Sequence, residues 1–308
     1  MNENIFRRFV SAKQPPVREN MNFTEFIYTI LLKTKLLKNS INWILKTIVP
    51  ATVKVNGAKI HLNPDDPVIS GALALNVFEK DEIVFFQKYF NSNMTLLDVG
   101  SNVGLYSGLA LAKENFSGKV ICMEPHKESL SYLKKTLHSN NQSKTDENII
   151  LSPKAASDFQ GKTMLHTNPD NKGDNRLYKD TLLSDHQETS VTTIDALCKE
   201  NNIDEIDFIK IDIQGSEQQA INGALSILKN SENCIILSEL WPYGLSQCGS
   251  SLSSYISTLV QLDFQLFKLE NKGRLATFDF KKIEREYTGR KYTNIVGFKG
   301  KYLPGENP

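Results

Sequence analysis

Downstream of Pro50 the chain alternates between two hydrophobic periods. Short apolar runs at 95–99, 119–123, 148–151, 208–213 and 234–238 read as strands. Between them, apolar positions recur at helical spacing over 105–113, 128–139, 193–201 and 217–229. Ahead of these, 52–62 predicts two short strands about Asn56-Gly57, a hairpin signal, and 66–90 reads as mostly helical. The polar stretch from Gln160 to Glu188 predicts an extended loop around 168–175. The C-terminal part predicts a helix at 251–262 and strands near 265–269, 277–280 and 294–299. Strands separated by helices argue for a parallel sheet covered on both faces. The two closing strands, with no helix between them, add an antiparallel edge.

The first fifty residues differ in texture. Phe23, Phe26, Ile27, Ile30 and Leu31 form one helical stripe, and Leu37, Ile41, Ile44, Leu45 and Ile48 another, with Asn39-Ser40 as a break and Pro50 as a stop. Residues 1–50 carry eight basic and three acidic side chains, a net of +5, against −4 for residues 51–308. The expected organisation is therefore a basic amphipathic helical arm at 1–50 followed by one catalytic-sized domain at 51–308. Two readings of residues 23–49 stay open: docking on the main domain or on a second copy, giving a homodimer, and lying on an anionic membrane surface.

Composition narrows the class. Of 308 residues, 40% are apolar and 23% charged, which is ordinary globular usage. The overall charge of +1 gives no footprint for nucleic acid. Cys122, Cys198, Cys234 and Cys248 form no C-x-x-C pair, so reduced thiols and no zinc site are expected. No apolar run approaches the roughly 18 residues of a membrane span. The start also lacks the apolar core of a signal peptide. The expected location is the cytoplasm, or the inner face of a membrane if the arm binds lipid.

Three segments carry chemistry. Leu96-Leu97-Asp98-Val99-Gly100-Ser101-Asn102-Val103-Gly104 is a buried strand running into a glycine-rich turn, where doubly wound sheets hold ligands. A dinucleotide fingerprint needs glycine at 102 and 105, where Asn and Leu stand. Phosphates favour backbone amides without a nearby negative charge, so Asp98 points instead to a ligand with cationic groups. In Val120-Ile121-Cys122-Met123-Glu124-Pro125 a second strand ends in a carboxylate, 20 residues after Gly104, suited to ribose hydroxyls. In the third segment, 206–217, alternation places Phe208, Lys210 and Asp212 on one face and Ile209, Ile211 and Ile213 on the other. A charged residue in a central parallel strand requires a partner, and Asp212 is the obvious one for Lys210.

In this order the three motifs resemble the FkbM family of S-adenosylmethionine-dependent methyltransferases, whose pattern combines a D-V-G-A-N-x-G turn, an E-P after the next strand and K-I-D-V-E-G-x-E further on. The resemblance covers about 55–300. It implies a class I methyltransferase, Rossmann-like α/β fold with a seven-stranded, mostly parallel sheet. Carried over, it implies that Asp98, Gly100, Ser101, Asn102 and Gly104 cradle the methionine end of S-adenosylmethionine, that Glu79 approaches from the preceding helix, and that Asp212 lies beside the cofactor. Glu124, followed by Pro125, holds the ribose, and Ala155, Ala156 and Ser157 lie near the adenine. Ser101 replaces the usual Ala, and Gln214 the usual Glu, which argues against residue 214 as a base or metal ligand.

The expected chemistry is in-line methyl transfer to a hydroxyl of a sugar, glycan or other small molecule. Asp212 is the candidate base and Lys210 sets its charge state, with Glu239 as second candidate and His126 as third. His126, Gln214, Trp241 and Tyr243 are the candidate acceptor-binding residues, since aromatic rings stack on sugars. Two rivals are a nicotinamide-dependent oxidoreductase and a catalytically silent adenosyl-binding module acting through the arm.

Overall fold

The computed structural model describes residues 49–142, 146–168, 171–179, 183 and 185–303. Both stripes of the arm, from Phe23 to Ile48, lie outside the described residues.

A hairpin of β1 (Thr52–Val55) and β2 (Ala58–His61) turns through Asn56 and Gly57, both at positive φ as the Asn-Gly signal requires. The region expected to be mostly helical resolves into α1 (Pro67–Ala74), capped by the Asp66 side chain, and α2 (Lys80–Tyr89). Then follow β3 (Leu96–Val99), α3 (Leu105–Leu111), β4 (Val120–Met123), α4 (Lys127–Asn140) and β5 (Ile149–Ser152). After β6 (Ala155–Ala156), β7 (Gly161–Thr167) and β8 (Asp185–Thr192) come α5 (Ile194–Glu200) and β9 (Phe208–Ile211). The chain continues with α6 (Glu217–Asn222), α7 (Leu225–Asn230), β10 (Cys234–Leu240), α8 (Pro242–Gln247) and α9 (Leu252–Gln261). It closes with β11 (Gln265–Glu270), β12 (Arg274–Thr277), α10 (Phe280–Glu286) and β13 (Thr293–Lys299).

The main sheet has the order β12-β11-β13-β10-β9-β3-β4-β5. From β10 to β5 every pairing is parallel, whereas β13, β11 and β12 pair antiparallel, so the expected parallel sheet with an antiparallel edge is present. It has eight strands rather than seven. The extra edge strand lies a few residues before the predicted 277–280, because Asp279 accepts the Lys282 N–H (3.0 Å) and starts α10 there. The polar stretch 160–188, predicted only as an extended loop around 168–175, is the second correction. Its two ends pair over their full length as the antiparallel β7–β8 ladder, and β6 joins β8 in a separate three-stranded sheet. Third, the single helix expected over 217–229 is two, broken at Gly223, where a Cβ would lie 2.0 Å from the Ser157 carbonyl oxygen.

The alternation read in 206–213 holds in three dimensions. Ile209 and Ile211 join the core under α5, α6, α7 and α9, while Phe208 packs with Phe85, Phe86 and Phe90 on the opposite face. On that second face Leu96, Val120, Phe208, Ile235 and Val296 fill the middle of the sheet. Toward the carboxyl ends of β3, β4, β9 and β10 the same face turns polar, with Asp98, Glu124, Lys210 and Glu239. No helix among the described residues is long and apolar enough to cross a membrane.

Candidate active site at the carboxyl edge of the sheet

The turn after β3 is built by close backbone approach. Gly100 and Ser101 donate their N–H groups to the Met123 carbonyl (3.0 and 3.2 Å), and the Ser101 hydroxyl donates to the Asp98 carbonyl (2.6 Å). Gly100, Asn102 and Gly104 all have positive φ, which glycine and asparagine tolerate best. A Cβ on Gly100 would sit 2.3 Å from the Asp212 carbonyl oxygen, so the loop after β9 lies directly on this turn. A Cβ on Gly104 would meet Leu133 of α4 at 2.7 Å.

Two buried carboxylates hold the turn in shape. Asp98 accepts from the Ser107 N–H (3.2 Å) and hydroxyl (2.5 Å), tying β3 to α3. Glu124 accepts from the Asn102 N–H and the His126 N–H, both at 2.8 Å, and so spans the glycine-rich turn and the start of α4. Asn102 keeps its side-chain Oδ1 buried with no hydrogen-bond partner, and so does the Ser152 hydroxyl at the end of β5. Each is a polar atom whose burial is costly unless a ligand satisfies it. Ala155, Ala156 and Ser157 are buried just beyond β5, with the Ser157 N–H bonded to the Thr192 carbonyl (3.0 Å). The Pro125 carbonyl accepts from Gln187 of β8 (3.0 Å).

The loop after β9 brings the catalytic candidates together. Lys210 is buried, with its ammonium 4.0 Å from Asp212 Oδ2 and 5.3 Å from the centre of the Tyr106 ring. Strand register sets it directly beside Asp98. Gln214, at positive φ, donates from Nε2 to Asp212 Oδ1 and to Glu239 Oε2 (3.2 Å). This accounts for the departure from the family pattern: an amide can donate to two carboxylates, whereas a glutamate at 214 would add a third negative charge. The loop itself is pinned by Glu217, whose Oε1 accepts from the Ile213 and Gly215 N–H groups (3.2 and 3.1 Å). Glu79, at the start of α2, accepts from the Tyr106 hydroxyl (2.5 Å).

Two of the acceptor-site candidates are engaged in contacts of their own. His126 caps α4: its Nδ1 lies 3.0 Å from the Ser129 hydroxyl, and burial holds the imidazole below its ordinary value, so a structural role occupies the ring. Trp241 is only 4% exposed. Its Nε1–H donates to the Gly289 carbonyl (3.3 Å) and its ring carries the Arg176 guanidinium at 5.2 Å, leaving no free face for a sugar. Tyr243, at 38% exposed, remains available.

Residues outside the expected set complete the site. Arg176, buried and paired with Asp174 (2.6 Å), ties the segment after β7 to Trp241. Next to it, Gly173 packs on Ile69 and approaches the Asn102 side chain, so this segment covers the glycine-rich turn. Neither arginine nor aspartate in a polar stretch signals this from sequence. Glu217 could have been found, since it closes the third motif.

Burial raises the carboxyls of Asp66, Glu82, Glu124 and Glu217 to about 7 and that of Asp98 to about 6. Values above those of the unfolded chain mean the native state holds more protons between them. Their contribution to stability is full below about pH 4 and is lost as pH rises through 6 to 7. The buried imidazoles of His61 and His126 oppose this as two groups against five. The ligand-free protein should therefore melt at a higher temperature at about pH 5.5 than at pH 8, by about 2–4 °C per kcal/mol, in scanning calorimetry. A flat or rising profile contradicts the burial of these groups.

A family model described as the methyltransferase FkbM domain matches residues 98–275, more than half of the chain. No curated protein matches. Among solved structures, the chain is similar to an FkbM methyltransferase from Methylobacillus flagellatus (14% identity, 91% of this chain and 63% of that one, TM-score 0.44). It is also similar to M. jannaschii TYW2 in complex with AdoMet (12%, 80% and 84%, 0.41) and to an O-methyltransferase from Bacillus cereus in complex with SAH (11%, 90% and 96%, 0.40). The chain thus spans less than two thirds of the length of the M. flagellatus protein.

Proposed function

Since the chain belongs to the FkbM methyltransferase domain family, we propose that it transfers a methyl group from S-adenosylmethionine to a hydroxyl of a small molecule or glycan. The observation that carries this reading is the convergence of Asp98, Glu124 and Asp212 on one glycine-rich turn at the carboxyl ends of neighbouring strands. The residues present suit such a donor. Asn102 Oδ1 is a buried acceptor without a partner, no cation-repelling side chain lies in the turn, and Gly100 and Gly104 let the loop after β9 and α4 close on it.

When bound, the donor supplies an electrophilic methyl group on a sulfonium. The glycine-rich turn and Asn102 would hold its methionine end, Glu124 its ribose, and Ala155, Ala156 and Ser157 the adenine side. Asp212 takes the proton of the acceptor hydroxyl at its carboxylate, and Gln214 fixes that carboxylate by donating to Oδ1. Lys210, between Asp98 and Asp212, favours the charged form of both. Glu239, held by the same amide, is the alternative base. The segment bearing Asp174 and Arg176 shields the turn from water.

Transfer of a labelled methyl group from S-adenosylmethionine into a cell extract tests the assignment and isolates the acceptor. Label appearing on an oxygen of a sugar or other small molecule supports it. Donor binding without any transfer favours the silent adenosyl-binding module. Vesicle flotation of the full chain against one starting at Ala51 tests whether the basic arm adds membrane contact.

A further inference from the structure

Around the candidate base, eight polar side chains are arranged in a ring, six of whose links are direct contacts. Glu79 accepts from Tyr106, over whose ring Lys210 lies; Lys210 faces Asp212; Gln214 joins Asp212 to Glu239. Glu239 is the register partner of Asn294, which donates to Glu82 Oε1, and Glu82 stands one helical turn from Glu79. Four of the eight are carboxylates and one is an ammonium.

Among the buried ring atoms, Glu82 Oε2 and Gln214 Oε1 have no hydrogen-bond partner in the structure. Both are acceptors, so what satisfies them must bring N–H or O–H groups. Glu82 is also short of positive charge, since its carboxyl is pushed up to about 7 by burial and by Glu79, with Lys210 only partly offsetting them. A metal ion does not suit the ring. Metal ligands converge at 2.0–2.6 Å on one point, and among the described residues no three His, Cys, Asp or Glu side chains do so. An ammonium, which offers three directed N–H donors and reaches each acceptor at hydrogen-bond distance, matches it better.

We propose that this ring is a subsite for a primary ammonium group carried by the methyl acceptor, next to the hydroxyl that is methylated. The inference rests on the methyltransferase reading above. The acceptor, rather than the donor, is assigned to it because of where its members stand. Glu239, Asn294 and Glu82 sit on β10, β13 and α2, on the far side of β9 from the turn and from Glu124 of β4. The ring opens to solvent at Asp212, whose side chain is 21% exposed, and at half-buried Glu79. Lys210 does not block an ammonium there, because Asp98 and Asp212 flank its charge.

The test uses the full chain loaded with S-adenosylhomocysteine and a matched pair of probes, glucosamine and glucose, titrated near neutral pH by ligand-detected NMR. The expected result is that glucosamine binds tighter by roughly tenfold, the size of one charge-assisted hydrogen bond. Glu82→Gln, which keeps the shape and the bond from Asn294, should abolish that preference while leaving affinity for S-adenosylmethionine unchanged. Equal binding of the two sugars by the unaltered protein overturns the proposal without recourse to any variant. So does a Glu82→Gln protein that loses donor affinity, since the ring would then serve the donor. If S-adenosylhomocysteine itself does not bind, it is the methyltransferase reading that fails.

Discussion

Replacing Asp212 with asparagine lowers methyl transfer by roughly 10²–10⁴-fold, the range of a positioned general base, while the dissociation constant for the donor changes by less than about threefold. The asymmetry follows from the geometry. Asparagine keeps the size and one acceptor for Gln214 Nε2, so the loop lying on Gly100 is retained. What is lost is the negative charge that takes the hydroxyl proton. Rate measurements under saturating donor, with calorimetry on the same preparation, separate the two effects. Unchanged turnover removes Asp212 from the mechanism, and a collapse confined to Glu239→Gln transfers the role to Glu239.

Gly100→Ala is a strongly damaging small substitution at the site itself. The added methyl meets the Asp212 carbonyl oxygen at 2.3 Å and Ile213 Cγ2 at 3.0 Å, and φ at 79° is itself unfavourable for alanine. Positive φ costs about 1–2 kcal/mol and overpacking about 1–3. The variant should lose about 2–5 kcal/mol of stability together with donor binding. Gly249→Ala is the matched control, because φ is 75° there and nothing lies within 4 Å of the added carbon. It should show the backbone cost alone and retain full donor affinity. Equal effects at the two positions would mean that the 212–213 loop does not press on the turn.

The parts of the site that are local in sequence were legible as such. Asp98–Gly104 and Glu124 each combine a buried strand, a turn and a polar side chain within a few residues, and the alternation of Phe208, Lys210 and Asp212 fixed their common face. Those assembled from distant segments were not. Tyr106, Glu82 and Asn294 carry no local signal, and meet Lys210 and Glu239 only because α2, α3 and β13 converge on the end of β9 and β10. The β7–β8 ladder escaped because both strands are polar and largely exposed along their outer lengths, so neither shows a hydrophobic alternation. The shift of β12 has a similar origin. Phe278 and Phe280 look like strand residues, but Asp279 between them caps a helix. Trp241 is a different case: an aromatic near the site reads equally as a stacking platform or as packing, and here its ring carries Arg176 while its Nε1–H donates to the Gly289 carbonyl.

One measurement bears on the whole account: isothermal calorimetry of the full chain with S-adenosylmethionine and its demethylated product, set against NAD. Saturable binding of both sulfur compounds at one site, with no heat from the dinucleotide and with the affinity lost in Gly100→Ala, is the predicted result. Uptake of NAD instead, or of neither sulfur compound, would contradict it.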